Sequence, residues 1–205
     1  MSKDIIKIDV KDKLASAVSH KGAEIITSHS GVINPKAVLL LDYSGSMTDL
    51  VGVGNGKKRQ AYKILDEQVA KFPQIAKVYF NSSTTTIKPD EPEGGTDLVS
   101  ALQYVKKDYN KVILITDGRP DGLHAYDAKD AKQHARQRYK NLVSNIQIDC
   151  VYIGNDDVIA QAFLKELSLL GIPGGQYSHT DIKFVENKIS NLLAEKAGSD
   201  GTIKL

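Results

Sequence analysis

Residues 39–47 read LLLDYSGSM. An unbroken apolar run ends in Asp42, and Ser44 and Ser46 follow at every second position. Extended backbone repeats its side-chain direction every two residues, so the carboxylate and both hydroxyls converge if the turn stays roughly extended. Gly45 lets that turn tighten without strain. One carboxylate with two hydroxyls is a hard, all-oxygen donor set, which suits Mg2+ or Mn2+ better than zinc. Three such ligands are too few for an octahedral ion, and two further stretches carry oxygen donors. KVILITDGRPD (111–121) ends a second apolar run at Asp117, and Thr116, one residue earlier, points the opposite way. EGGTDL (93–98) places Thr96 just ahead of a helix, in a loop that Gly94 and Gly95 make pliable. A turn or helix-cap cluster with no metal is the plainer account of Asp42, Ser44 and Ser46. Thr96 and Asp117 in register weigh against it.

These residues need a scaffold that brings three loops together. Apolar runs at KAVLLLD (36–42), IAKVYFN (75–81), KVILITD (111–117) and IDCVYIG (148–154) predict strands, with QYSHT (176–180) a weaker one. Continuous rather than alternating apolar runs suit strands covered on both faces. Between them lies helical periodicity. Ala61, Ile64, Leu65, Val69 and Phe72 share one face of a helix near 57–72. Leu98, Ala101, Leu102 and Val105 mark a second, and Ala128, Ala131, Ala135 and Leu142 a third near 125–145. Ile159, Phe163, Leu167 and Leu170 mark a fourth, stopped by Gly171 and Pro173. Ile182, Val185, Ile189, Leu192 and Leu193 mark the last.

Strands alternating with helices imply parallel βαβ units, hence an α/β, doubly wound, mostly parallel sheet with helices on both faces. The gap after the second strand is too short for a crossover helix. Residues 83–88 therefore read as an antiparallel edge strand returning by a hairpin, with Lys88 and Pro89 suited to an edge. In such sheets ligands bind beyond the carboxyl ends of the strands, at the topological switch point, and Asp42 and Asp117 both sit at such ends. The expected organisation is an N-terminal extension over 1–35, the α/β domain over 36–195 and a tail over 196–205. Within the extension, DIIKIDV and AEIITSHS read as strands and KDKLASAVS as a short helix. The tail AGSDGTIKL reads as frayed.

Composition narrows the function classes. Lys plus Arg number 27 against 25 for Asp plus Glu, a net charge of +2. That balance makes no electrostatic case for nucleic acid or an anionic membrane. Hydrophobic residues are 41% and charged residues 25%, ordinary for a soluble globule. The single cysteine, Cys150, lies in an apolar run and reads as a small buried hydrophobe. The opening MSKDIIKIDVKDK breaks its apolar stretch with charges, unlike a signal peptide, and no stretch approaches a membrane span. The expected compartment is a reducing cytoplasm.

D-x-S-G-S at 42–46, G-G-T-D at 94–97 and T-D-G at 116–118 together resemble the metal-ion-dependent adhesion site of the von Willebrand factor A (VWA) domain family. The resemblance covers about residues 36–195. The wording YSGSM and TDGRPDG is closer to intracellular prokaryotic members than to secreted adhesins. It implies that Ser44, Ser46 and Thr96 bind the ion through hydroxyls, while Asp42 and Asp117 approach it directly or through water. It also implies one coordination position left for a partner protein's Asp or Glu. Hydroxyl ligands neutralise an ion poorly, so attraction of an outside carboxylate is physically reasonable. The expectation is a metal-dependent protein-binding module and not an enzyme.

Several other readings compete. A haloacid-dehalogenase-like phosphohydrolase would want a second aspartate as general acid two residues after the first, where this chain has Ser44. A receiver-like domain would leave both serines unexplained. GVGNGKK (52–58) resembles a phosphate loop, but it has three residues between Gly52 and Gly56 where that loop needs four, so it reads as a flexible lead into the helix. The five histidines show no zinc spacing, and His124 is the one nearest Asp117 in sequence. Asp97 reads as a helix cap and Asp121 as a turn residue with Gly122.

Overall fold

The computed structural model describes residues 5–8, 15–19, 25–28 and 36–194. The chain divides into two compact units, Met1–Lys36 and Ala37–Leu205. In the first, β1 (Ile5–Ile8), β2 (Ala15–Ser19) and β3 (Ile25–Ser28) pair antiparallel in that order. The helix expected over 11–19 is therefore corrected: Ala15–Ser19 is the central strand, paired on both edges. Tertiary pairing overrides a weak local helical pattern. Residues 11–14 and the tail 197–205 lie outside the described residues.

The second unit holds a six-stranded sheet. Its strands are β4 (Ala37–Asp42), β7 (Ala76–Phe80), β8 (Thr84–Thr85), β9 (Lys111–Thr116), β10 (Gln147–Tyr152) and β11 (Tyr177–His179). Their order is β11-β10-β9-β4-β7-β8, and all neighbours run parallel except β8, which returns antiparallel along β7. Among the described residues the α-helices are α1 (Ala61–Val69), α2 (Leu98–Val105), α3 (Ala128–Val143) and α4 (Val158–Leu170) between strands, and α5 (Val185–Ala194) after β11.

Alternate strand residues feed two cores. Val38, Leu40, Val112, Leu114, Ile148 and Cys150 pack with α2, α3 and α4, whereas Leu39, Leu41, Ile113, Ile115 and Val151 pack with α1 and α5. The fold is thus α/β and doubly wound, Rossmann-like, with helices on both faces. Double coverage leaves β4, β9 and β10 buried almost throughout, which is why their apolar residues run on without a regular polar alternation. Burial pushes the Cys150 thiol well above its usual range, as befits a core residue.

The helix expected from residue 57 begins only at Ala61. Lys57–Gln60 forms β6 instead, paired antiparallel with β5 (Leu50–Gly54). The turn carries Asn55 at φ 51° and Gly56 at φ 70°. An Asn-Gly pair with both residues left-handed is the favoured two-residue hairpin turn, and it outweighs the good helix propensity of the Lys-Lys-Arg-Gln stretch. GVGNGKK is therefore a structured hairpin and not a loose lead. Val51 and Val53 pack on the core shared by α1 and α5.

Chain order reverses between β4 and β9. From β4 the chain goes through α1 to β7 on one side, and β9 lies on the other. That seam is the topological switch point, and its carboxyl end is where this architecture leaves a crevice. Among the described residues no helix is long and apolar enough to cross a membrane.

Candidate functional site

Asp42 is the last residue of β4 and is fully buried. Its Oδ1 accepts from the Ser44 backbone N–H at 2.9 Å, and its Oδ2 accepts from the Thr116 hydroxyl at 2.5 Å. Leu41 pairs with Ile115, so Asp42 and Thr116 end adjacent strands at one level. Thr116 does point away from Asp117, and what it meets is Asp42.

Ser44 is still extended, at φ −70° and ψ 166°. Gly45–Thr48 then closes a short 3-10 turn, so the period-two geometry ends at Ser44 and the turn carries Ser46. The hydroxyls nevertheless converge, with Ser44 Oγ 3.2 Å from Ser46 Oγ. Ser46 Oγ donates to Asp117 Oδ1 at 2.8 Å. Asp42, Ser44, Ser46 and Asp117 thus form one hydrogen-bonded chain across the switch point. It runs from a dry interior at Asp42 to solvent at Ser46.

Thr96 comes from a third loop that is tied to both others. The Gly45 N–H donates to the Gly94 carbonyl at 3.1 Å, tying the first loop to the third. The Thr96 N–H donates to Asp121 Oδ2 at 2.9 Å, and the Asp121 N–H donates back to the Thr96 carbonyl at 2.9 Å. Thr96 and Thr116 line one narrow recess with Phe80 and Gly118. Gly94, at φ 68°, takes a conformation that suits glycine, and a Cβ on Gly95 would lie 2.3 Å from Asp121 Oδ2. The double glycine is therefore needed for close approach more than for pliability.

Asp97 caps α2, accepting from the Ser100 N–H at 3.1 Å. A turn does sit at Gly122, closed by a Leu123 N–H to Pro120 carbonyl bond, but the Asp121 carboxylate serves Thr96. Arg119 clasps Asp157, the N-cap of α4, through two bonds of 2.6 and 2.9 Å, anchoring the Asp117 loop to that helix. His124 is exposed. Neither Thr116 nor Asp121 was among the expected site residues. The signal for Thr116 was its position, a hydroxyl ending the strand beside Asp42.

Electrostatics are adverse for both carboxylates. Burial and the neighbouring charge of Asp117 push Asp42 up to about 6, against the hydrogen bonds from Thr116 and Ser44 that favour its charged form. Asp117 is also raised, by burial first and then by Asp49, with the Ser46 hydroxyl opposing. Two partly desolvated carboxylates that resist ionising together are what a bound cation offsets. Among the described residues no group of three or more His, Cys, Asp and Glu could hold a metal, so carboxylates and imidazoles alone make no cage. The donors gathered here are two carboxylates and hydroxyls, with no sulfur or nitrogen. That set fits a hard ion such as Mg2+ or Mn2+ and does not fit zinc.

Comparison of the chain with protein-family models gives no match, and comparison with curated proteins gives none either.

Proposed function

We propose that residues 36–195 act as a VWA-type, divalent-metal-dependent protein-binding module. Asp42, Ser44, Ser46, Thr96 and Asp117 would hold one Mg2+ or Mn2+. The bound ion would supply an electrophilic centre that attracts a partner's Asp or Glu. The observation that carries this reading is the continuous chain Asp42–Ser44–Ser46–Asp117 at the switch point, with the Thr96 loop bonded to both flanking loops.

The chain's own residues divide the work. Thr116 and the Ser44 N–H orient the Asp42 carboxylate, and Asp121 sets the position of Thr96. Ser46 stands at the solvent edge, where a partner would arrive. The phosphohydrolase alternative needs Asp42 as an exposed nucleophile. Its full burial and two engaged oxygens argue for a binding role instead.

Calorimetry of the full chain with Mg2+ and Mn2+ tests the proposal. One site should appear, with a rise in melting temperature at excess metal; a hundredfold excess over Kd stabilises by about 2.7 kcal/mol. Ser44→Ala and Asp117→Ala should each weaken binding at least tenfold. No heat and no melting shift with either metal would overturn the reading. Turnover of a phosphate ester that is lost in Asp42→Asn would replace it with the hydrolase.

A further inference from the structure

A second feature borders the same site. Between the β5–β6 hairpin and the carboxyl ends of β10 and β11 lies a cleft of about 560 Å3. Leu50, Gly52 and Lys58 form one wall; Gly154, Asn155 and His179 form the other. The cleft begins at the metal-site loops. A Cβ on Gly154 would lie 2.0 Å from the Asp117 carbonyl, and Leu50 directly follows Asp49, whose charge bears on Asp117.

Its walls are polar. Small-molecule pockets are mostly apolar with a few placed polar groups, whereas this one presents the Lys58 ammonium, the His179 imidazole, the Asn155 amide and the Asp181 carboxylate. Lys58 is exposed and makes no ion pair among the described residues. Of the neighbouring charges, Arg59 is held by Glu67, Asp181 caps the turn at Ile182–Phe184 and pairs with Lys183 at 3.0 Å, and the exposed Asp156 lies 3.9 Å from His179 Nδ1. His179 Nε2 lies 3.0 Å from the Gly154 carbonyl, which fixes the far wall. Gly52 has nothing within 4 Å of where a Cβ would sit, so the hairpin wall is open at that point.

We propose that this cleft seats an extended acidic segment of the protein partner, with one carboxylate at the metal and a second, a few residues along, paired with Lys58. The inference rests on the binding-module reading and adds a specificity element to it. An extended segment advances about 3.3 Å per residue, so the spacing between the two acids is the variable that the hairpin reads. An ion pair at such a rim sets register and specificity more than raw affinity.

The test uses the full chain, 15N-labelled and saturated with Mg2+, titrated by chemical shift. The probes are Gly/Ser peptides carrying one Asp, or two Asp separated by one to five residues. One spacing should bind roughly three- to tenfold tighter than the single-Asp peptide, as expected for one rim ion pair. Lys58→Glu and Gly52→Leu should each abolish that gain while leaving Mg2+ affinity, melting temperature and single-Asp binding unchanged. Equal affinity at every spacing overturns the inference, as does a gain that survives Lys58→Glu. Inorganic phosphate that competes away the gain overturns it in favour of a small anion. If Mg2+ binds and the single-Asp peptide binds without a gain, the cleft inference alone falls. If Mg2+ itself gives no response, both readings fall.

Discussion

The Thr116 hydroxyl donates to Asp42 Oδ2 at 2.5 Å across the seam where the sheet reverses its winding. Both residues are almost wholly buried. Asp42 sits in a dry environment beside a second carboxylate, and the Thr116 hydroxyl joins Ser44 in donating hydrogen bonds to it. The hydroxyl therefore orients a carboxylate that burial would otherwise penalise heavily.

Thr116→Val keeps the shape and removes the donor. Leaving a buried carboxylate short of a hydrogen bond costs about 1–3 kcal/mol. The variant should melt lower in EDTA and bind Mn2+ several-fold more weakly, because the misoriented Asp42 must be repositioned. Thr116→Ser should recover most of both. Melting curves and calorimetry on the three proteins read the effect. Full metal affinity in Thr116→Val would show that Asp42 needs no orienting partner.

Gly95 and Asp121 form the second support, and their coupling is testable. A Cβ on Gly95 would meet Asp121 Oδ2 at 2.3 Å, so Gly95→Ala must displace the carboxylate that holds the Thr96 N–H. Overpacking of this kind costs about 1–3 kcal/mol. Asp121→Ala removes the same bond without the clash. Each single change should weaken metal binding. The double variant should be little worse than either, because both break one contact. Additive losses in a double-mutant cycle would mean that the two residues act on the site separately.

The strands were legible because their burial on both faces writes apolar runs into the chain; β4 and β9 follow that rule closely, whereas Gln147 and Asp149 interrupt it in β10. Asp42, Ser44, Ser46, Thr96 and Asp117 could be singled out because loops that meet at a switch point must leave from strand ends, which periodicity locates. The hairpin at Leu50–Gln60 was missed through reading Asn55-Gly56 as flexibility instead of turn chemistry. The Asp121–Thr96 clamp was harder to foresee. It joins residues 25 apart through a loop approach that depends on Gly95, and no local pattern encodes such a distance. The same holds for the Tyr43 hydroxyl, which donates to Asp66 Oδ1 at 2.5 Å beneath the site. A tyrosine after a strand-end aspartate carries no sign of its partner.

At the opposite end of the sheet lies the feature that the linear sequence conceals most completely. Lys111 opens an apolar strand, yet it and Asp149 are both buried, with Lys111 Nζ 3.1 Å from Asp149 Oδ2. Lys111 also donates to the Leu192 carbonyl of α5 at 2.5 Å. Asp149 Oδ1 accepts from the Gln176 N–H at 2.9 Å, just ahead of β11. One ion pair therefore fastens α5 and the β11 edge to the middle of the sheet. Removing a single member strands a buried charge, so Lys111→Met or Asp149→Leu should each destabilise by about 3–5 kcal/mol. Replacing both with apolar residues of similar volume removes two desolvated charges together and should restore much of the loss, a strongly non-additive cycle in urea unfolding. Metal affinity should stay unchanged in the double variant, because neither residue reaches the carboxyl ends of the strands. A double variant as unstable as the sum of its parts would show that the hydrogen bonds to Leu192 and Gln176, and not the pairing of charges, hold this end together.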